Sequence, residues 1–361
     1  MAITITFGAL PGNDPATRPA PAPLPVAALP AECSPTSEAE RRRRLGGRII
    51  VRMSARATPA LLRQARAGEI GGVVLFPPED IDSAALATEV AALQQAASEA
   101  GGTPLIVSID QEGGEVKRLA ALPPERSPEQ LAGDPVAAKA EGAATGIALA
   151  GAGVNVDLAP VLDVPASSDS FIAARSFGLD AAEVASSGGA FAAGLESGGV
   201  AATGKHFPGL GRSPVNTDFE ISSVSASRSQ LIADLEPFES AIAAGIPLLM
   251  LSNATYPALD PDLPAFASPK IAEVLLREQL GFDGVTITDD LDAAAVRASF
   301  DRRQAALAAA AGGSDLLLFA LTEQPEVLGA LVAAERRGEL DAEALEQSCA
   351  RLVELRSRLG T

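Results

Sequence analysis

Residues 182–209 read AEVASSGGAFAAGLESGGVAATGKHFPG. Ala182–Ser197 has the composition of a helix. Val200–His206 is a short, mostly apolar run, as expected of a strand buried on both faces. Polar residues gather where that run ends, in Lys205-His206-Phe207-Pro208-Gly209. The same unit recurs along the chain. Further apolar runs are Arg48–Met53, Gly72–Phe76, Leu105–Asp110, Val154–Asp163, Leu248–Asn253, Val285–Asp289 and Asp315–Phe319. Helical stretches such as Ala84–Ala100 and Arg228–Ala244 lie between them and would serve as crossovers. Eight such units in one chain predict an α/β fold, a (β/α)8 TIM-type barrel. No composition break suggests a second domain, so the barrel is placed at 41–361, behind a Pro/Ala-rich tail or linker at 1–40. A doubly wound open sheet is the other arrangement of such units, but no GxGxxG follows the first strand.

A barrel should carry its functional groups at the C-terminal ends of the strands. The third run ends in Asp110-Gln111-Glu112-Gly113-Gly114, with Arg118 beyond it. The fourth ends at Asp163, and its loop holds Arg175-Ser176-Phe177-Gly178. The sixth ends in Ser252-Asn253 and the seventh in Thr288-Asp289-Asp290. The opposite strand ends carry mostly Gly, Pro and Val. Packing alone does not explain this asymmetry.

Composition narrows the function. The 361 residues hold 28 basic and 46 acidic side chains, a formal net charge of −18, which disfavours nucleic acid as a partner. One His and two Cys cannot build a His-rich zinc site or a cysteine cluster, so no metal is assigned. No apolar run approaches the roughly 20 residues of a membrane span. The first 40 residues hold 8 of the 27 prolines, which remove amide donors and favour an extended chain. They lack the basic start and apolar core of a signal peptide. Two readings follow, a cytosolic protein or one whose signal has been removed, and the extracytoplasmic one is favoured. Cys33 and Cys349 could pair or stay as two buried thiols. The arginines at 41–44 are expected to be a solvated helix face.

The ordered motifs IDQEGGEVKR (109–118), NVDLAPVLDV (155–164), ARSFG (174–178), KHFPGLG (205–211), LSNATYP (251–257) and GVTITDDLD (284–292) resemble the catalytic barrel of glycoside hydrolase family 3. The compact beta-N-acetylhexosaminidases are the most similar group, and the resemblance runs from about Arg48 to the C-terminus, without the second sandwich domain of many beta-glucosidases. It implies a retaining exo-glycosidase for terminal beta-linked (N-acetyl)hexosaminides, with a small carbohydrate as partner, a cell-wall or chitin-derived source and no cofactor. It assigns no oligomeric state. Asp289 would be the nucleophile, since a carboxylate can attack the anomeric carbon and form a glycosyl-enzyme. Asp110, Arg118, Arg175, Lys205 and His206 would match the family's sugar-binding positions. Asp290 could take the nucleophile's place, Asp163 could hold a loop through backbone amides, and Glu112 is expected to shape the turn after the third strand. Arg118 and Arg175 could instead be scaffold, paired with carboxylates.

One motif departs from the family. The pattern KHFPGHGxxxxDSH, whose His-Asp pair supplies the acid/base, here reads KHFPGLGRSPVNTDFE. Leu210 replaces the first His, Asn216 the Asp and Asp218 the catalytic His, and the sixth strand ends in Asn253 where a His is common. Asp218 could act as the acid/base itself. Glu220 is a second candidate if an extended loop places both on one side. The alternative is a catalytically weak or inactive carbohydrate-binding protein on the same barrel. A divalent-metal lyase using Asp110, Glu112 and Asp163 as oxygen ligands is a third reading. With no Trp and only Tyr256, a small pocket for a terminal sugar suits the chain better than a long stacking cleft.

Overall fold

The computed structural model describes residues 29–99, 102–320 and 325–359. Eight parallel strands form a barrel: β1 (Ile49–Met53), β2 (Gly72–Leu75), β3 (Ile106–Ile109), β4 (Val156–Asp157), β5 (Ala201–Phe207), β6 (Leu248–Leu251), β7 (Val285–Thr288) and β8 (Leu317–Phe319). Each pairs with its sequence neighbour, and β8 pairs with β1 at Ile49–Leu317. A single bridge, Ile287–Leu316, closes the ring between β7 and β8. Helices follow the strands, as in Pro59–Ala67 after β1, Ser83–Ser98 after β2 and Ala181–Ser197 after β4. The architecture is the expected single-domain (β/α)8 barrel.

Two local differences have plain causes. The run Val154–Asp163 yields only two residues of regular strand, because Pro160 has no amide to donate. Pairing with β5 continues irregularly through Thr203 N to Ala159 O, Lys205 N to Pro160 O and Leu162 N to Lys205 O. The helical stretch after β5 divides into Arg228–Ala233 and Glu236–Ala243, the second starting on Pro237 in its first turn.

Side chains alternate between two cores. Ile49, Val51, Met53, Val73, Leu75, Val107 and Ile109 pack outward with the helices. Ile50, Val74, Ile106, Val156, Leu248, Met250, Val285, Ile287 and Leu318 fill the barrel interior. A period of two on a sheet with both faces covered makes the strands mostly apolar rather than alternating. The helices pack tightly where glycines meet. A Cβ at Gly194 would lie 2.3 Å from the Lys139 carbonyl oxygen, so the Gly-rich helix 181–197 can approach helix Pro135–Gly151 only without side chains there.

The last helix, Ala342–Arg358, closes the N-terminal end of the barrel with Leu352 and Leu355, which join the interior cluster. Arg351 donates to both carboxylate oxygens of Asp315, which also accepts from Arg277. Burial would raise the pKa of Asp315, but Arg351 and Arg277 hold it well below the usual carboxylate range. Of the Pro/Ala-rich segment, residues 1–28 lie outside the described residues. Ala31–Cys33 is a single 3-10 turn, and helix Glu38–Gly46 starts on a Ser37–Glu40 capping box. The arginines of that helix are not simply solvated. Arg41 and Arg44 both pair with Glu335 of helix Pro325–Arg336, and Arg42 pairs with Glu69 at 2.7 Å. Cys33 and Cys349 form a disulfide, with Cα atoms 5.4 Å apart, that ties the 3-10 turn to the last helix.

This bridge spans 316 residues, so the model of chain entropy predicts a large constraint on the unfolded state. Reduction, or Cys33→Ser with Cys349→Ser, should cost about 2–4 kcal/mol of stability in denaturant unfolding. Alkylation of the native protein should label neither thiol before reductant is added.

Candidate active site

Alternation along the strands determines which side chains reach the C-terminal mouth. Continuing the inward set upward gives Arg52 on β1, Phe76 after β2, Asp110 after β3, Leu158 after β4, Lys205 on β5, Met250 on β6, Asp289 after β7 and Leu318 on β8. All of these line one cavity of about 620 Å³. It also takes in Glu112, Arg118, Arg175, His206, Leu210, Asn216, Asp218 and Asp290. Its size is that of a small-ligand pocket.

A charge network forms the floor. The buried carboxylate of Glu112 accepts from Arg175 Nε and Nη2, both at 2.8 Å, and lies 2.6 Å from Lys205 Nζ. Lys205 Nζ also donates to Asp110 Oδ1 at 2.7 Å. Glu112 therefore does more than shape a turn. Burial would raise its pKa, but the two cations lower it to about 2. Burial likewise works against the Lys205 ammonium, and Asp110 and Glu112 overcome it, raising the pKa. The scaffold pairing expected as one option for Arg175 is present, and the residue still borders the cavity.

At the top of β5 the alternation breaks. Neighbouring Lys205 and His206 both face the cavity, across a cis peptide. Asp163 holds His206 in place: its Oδ2 lies 2.7 Å from Nδ1, and its Oδ1 accepts the amides of His206 at 3.1 Å and Leu210 at 2.6 Å. Asp163 thus engages backbone amides, as one reading expected, and the imidazole as well. Asp110, Glu112 and Asp163 are each engaged by side chains or amides, and among the described residues no three metal-type ligands converge.

The two aspartates after β7 differ. Asp290 Oδ1 accepts the amides of Asp292 and Ala320, both at 2.9 Å, and its carbonyl accepts from Asn253 Nδ2 at 2.8 Å. Asn253 therefore anchors this loop from β6. Burial raises the pKa of Asp290 to about 7. Among the described residues the Asp289 carboxylate accepts only its neighbour's amide, at 2.8 Å. Burial raises its pKa, His206 lowers it and the charge of Asp218 raises it further.

The loop after β5 is a turn rather than an extended segment. Asn216 Oδ1 accepts from Asp218 N at 2.9 Å, and Asn216 O accepts from Phe219 N and Glu220 N, each at 3.1 Å. Alternation therefore does not apply. Asp218 lines the cavity and Glu220 does not, although both are exposed. Leu210 is buried against the cavity wall.

Arg118 was read from its motif; its neighbours were not. Its guanidinium stacks on the Phe76 ring at 4.7 Å, and that of Arg52 lies 4.8 Å from the same ring centre. Neither has a carboxylate partner among the described residues. Arg52 and Phe76 were legible only through strand parity. Asp157, inside the quoted motif NVDLAPVLDV, was also passed over. It is fully buried, accepts from Gln111 N at 3.0 Å, and among the described residues has no partner for Oδ2.

Burial raises the pKa of Asp157 to about 8, against about 3.9 for an unfolded aspartate. The folded state holds this proton more tightly, so the stability it contributes is complete below about pH 4 and lost as pH rises through about 8. Asp157→Asn keeps the Oδ1 acceptor and removes the titration. Its stability, measured by denaturant unfolding, should fall less between pH 5 and 8 than that of the wild type.

Residues 48–355 match the model of the glycosyl hydrolase family 3 N-terminal domain. An uncharacterised secreted glycosyl hydrolase of Arthroderma benhamiae is 35% identical over 306 residues, 81% of this chain and 86% of that protein. A beta-hexosaminidase of Methylococcus capsulatus is 33% identical over 276 residues, covering 73% of this chain and 79% of its own. Among solved structures, a beta-N-acetylhexosaminidase from Beutenbergia cavernae superposes with a TM-score of 0.82 at 35% identity, over 88% of this chain and 98% of that one. A family 3 beta-N-acetylglucosaminidase from Paenibacillus gives 0.84 at 33%, over 88% of this chain and 62% of the longer relative. With the strand-end motifs lining one cavity and the family model covering nearly the whole barrel, this chain belongs to glycosyl hydrolase family 3.

Proposed function

We propose that this glycoside hydrolase is a retaining exo-enzyme that removes terminal beta-linked N-acetylhexosamine, with Asp289 as nucleophile and Asp218 as acid/base. The observation that carries the reading is that Asp289 and Asp218 border one cavity, where the charge of Asp218 acts on Asp289. Retaining hydrolysis uses two carboxyl groups at one site, one to attack the anomeric carbon and one to pass the proton. Asp290 is less suited to attack, because two amides, those of Asp292 and of Ala320 just after β8, hold its carboxylate. The hexosaminidases among the similar proteins support the sugar class.

In the first step an Asp289 oxygen forms a bond to the anomeric carbon as the glycosidic bond breaks. The leaving oxygen takes its proton from Asp218. In the second step Asp218 removes a proton from water, whose oxygen displaces Asp289. His206 and Lys205 favour the charged form of Asp289 against its burial. Asp110, Arg118, Arg175, Lys205 and His206 would bind the sugar hydroxyls, with Asp110 and Lys205 held against each other in geometry suited to adjacent oxygens. The Cys33–Cys349 bridge and the secreted Arthroderma relative support a site of action outside the reducing cytosol.

A 2-deoxy-2-fluoro glycosyl fluoride should trap a covalent adduct on Asp289, located by peptide mass spectrometry. Asp289→Asn should lower kcat by about 10³-fold or more. Absence of both turnover and adduct would leave a carbohydrate-binding protein instead. Asp218→Ala should slow alkyl glycosides at least tenfold more than dinitrophenyl glycosides, which need no acid. An equal loss on both would remove Asp218 from the acid role. Because the charge of Asp218 raises the pKa of Asp289, Asp218→Asn should shift the acidic limb of kcat/KM to lower pH on dinitrophenyl glycosides.

A further inference from the structure

Among the described residues Phe219 is the only exposed phenylalanine, with 75% of its surface open to solvent. It is adjacent to Asp218 and borders the same cavity. The single tyrosine offers no such face, because Tyr256 is fully buried.

Its exposure is imposed by the loop. Asp218 O accepts from Ala294 N at 3.1 Å and Thr217 O from Ala295 N at 3.2 Å, which fastens the turn to the segment after β7. The Asn216 turn holds the amides of Asp218 and Phe219. At the loop's base Arg212 pairs with Asp234 through two bonds, at 2.5 and 3.0 Å, and Ser213 bonds Ser222. A segment anchored at both ends and in the middle cannot turn the ring inward to the core. The ring therefore presents apolar area to water at the mouth of a polar cavity, which is unfavourable until something covers it.

We propose that Phe219 forms the wall of a leaving-group subsite, on which the pyranose ring at the reducing side of the scissile bond stacks its apolar C–H face. This deepens the glycosidase reading and rests on it. An acid at Asp218 must touch the leaving oxygen, so the next residue flanks the ring that carries that oxygen. Pyranose rings present an apolar face of axial hydrogens, and an aromatic ring is its natural complement. The subsite would discriminate between leaving groups that carry a ring and those that do not, and would leave binding of the terminal sugar to the charged network.

Two substrates share the terminal sugar and differ in what leaves: N,N′-diacetylchitobiose, with a full pyranose, and β-N-acetylglucosaminyl fluoride, with a single atom. Phe219→Ala should lower the ratio of kcat/KM for the disaccharide to that for the fluoride at least fivefold, and Phe219→Tyr should restore it to within twofold of wild type. An unchanged ratio in the alanine variant would overturn the proposal. So would an equal fall in the tyrosine variant, which would point to the loop rather than the ring. A wild-type enzyme that hydrolyses the fluoride and not the disaccharide would also overturn it. If wild type turns over neither substrate, the glycosidase reading itself fails. Calorimetry then decides on Phe219: its alanine variant should lose the affinity advantage of diacetylchitobiose over N-acetylglucosamine, and retention of that advantage would overturn the proposal.

Discussion

An ammonium group taken out of water needs counter-charge close by, and the fully buried Lys205 draws it from Glu112 and Asp110. That requirement organises the mouth of the barrel. Glu112 sits in the hairpin after β3, Arg175 in the loop after β4 and Lys205 on β5, so three consecutive units are joined by one cluster of ion pairs. Unpaired, each of these groups would cost several kcal/mol in the interior. Paired, they hold a polar floor in fixed geometry at the end of an apolar barrel, where it can face a sugar.

Around that floor the site is asymmetric. Glu112 and Lys205 are buried and ion-paired, whereas Asp218 stands on an exposed turn. Where the family pattern has a His-Asp pair, the turn built on Asn216 carries a carboxyl group and an aromatic ring to the border of the cavity that Asp289 also lines. The Asn216 side chain thus keeps a structural task at a position whose usual residue is gone. Asn253 does the same on β6, where its amide anchors the loop that carries Asp289 and Asp290.

Much of the candidate site was legible because strand-end motifs and barrel geometry agree. Residues at the C-terminal ends of the runs converge in any (β/α)8 barrel, so Asp110, Lys205 and Asp289 could be grouped before any coordinate was known. What escaped has identifiable causes. Arg52 and Phe76 lie in no quoted motif, and only the inward parity of β1 and β2 marks them. Asp157 gave no signal, because its burial depends on how the turn after β3, whose Gln111 amide it accepts, packs beside β4. Glu220 was grouped with Asp218 on the assumption of an extended loop, and a side-chain-capped turn separates them.

The sequence by itself determined the order of elements, the barrel and the set of groups available at its mouth, because these follow from local composition and from the two-residue period of strands. The pairing of Cys33 with Cys349 was left open by the sequence, as was the engagement of the arginines at 41–44 with Glu335 and Glu69. Those contacts join residues nearly a whole chain apart, or elements packed side by side on the barrel's outer wall. Which carboxylate meets which cation, and which residue of a short loop faces the cavity, depends on distances between elements that are remote in sequence. Only the tertiary structure sets those distances, since they come from the closure of the ring and the packing of its helices.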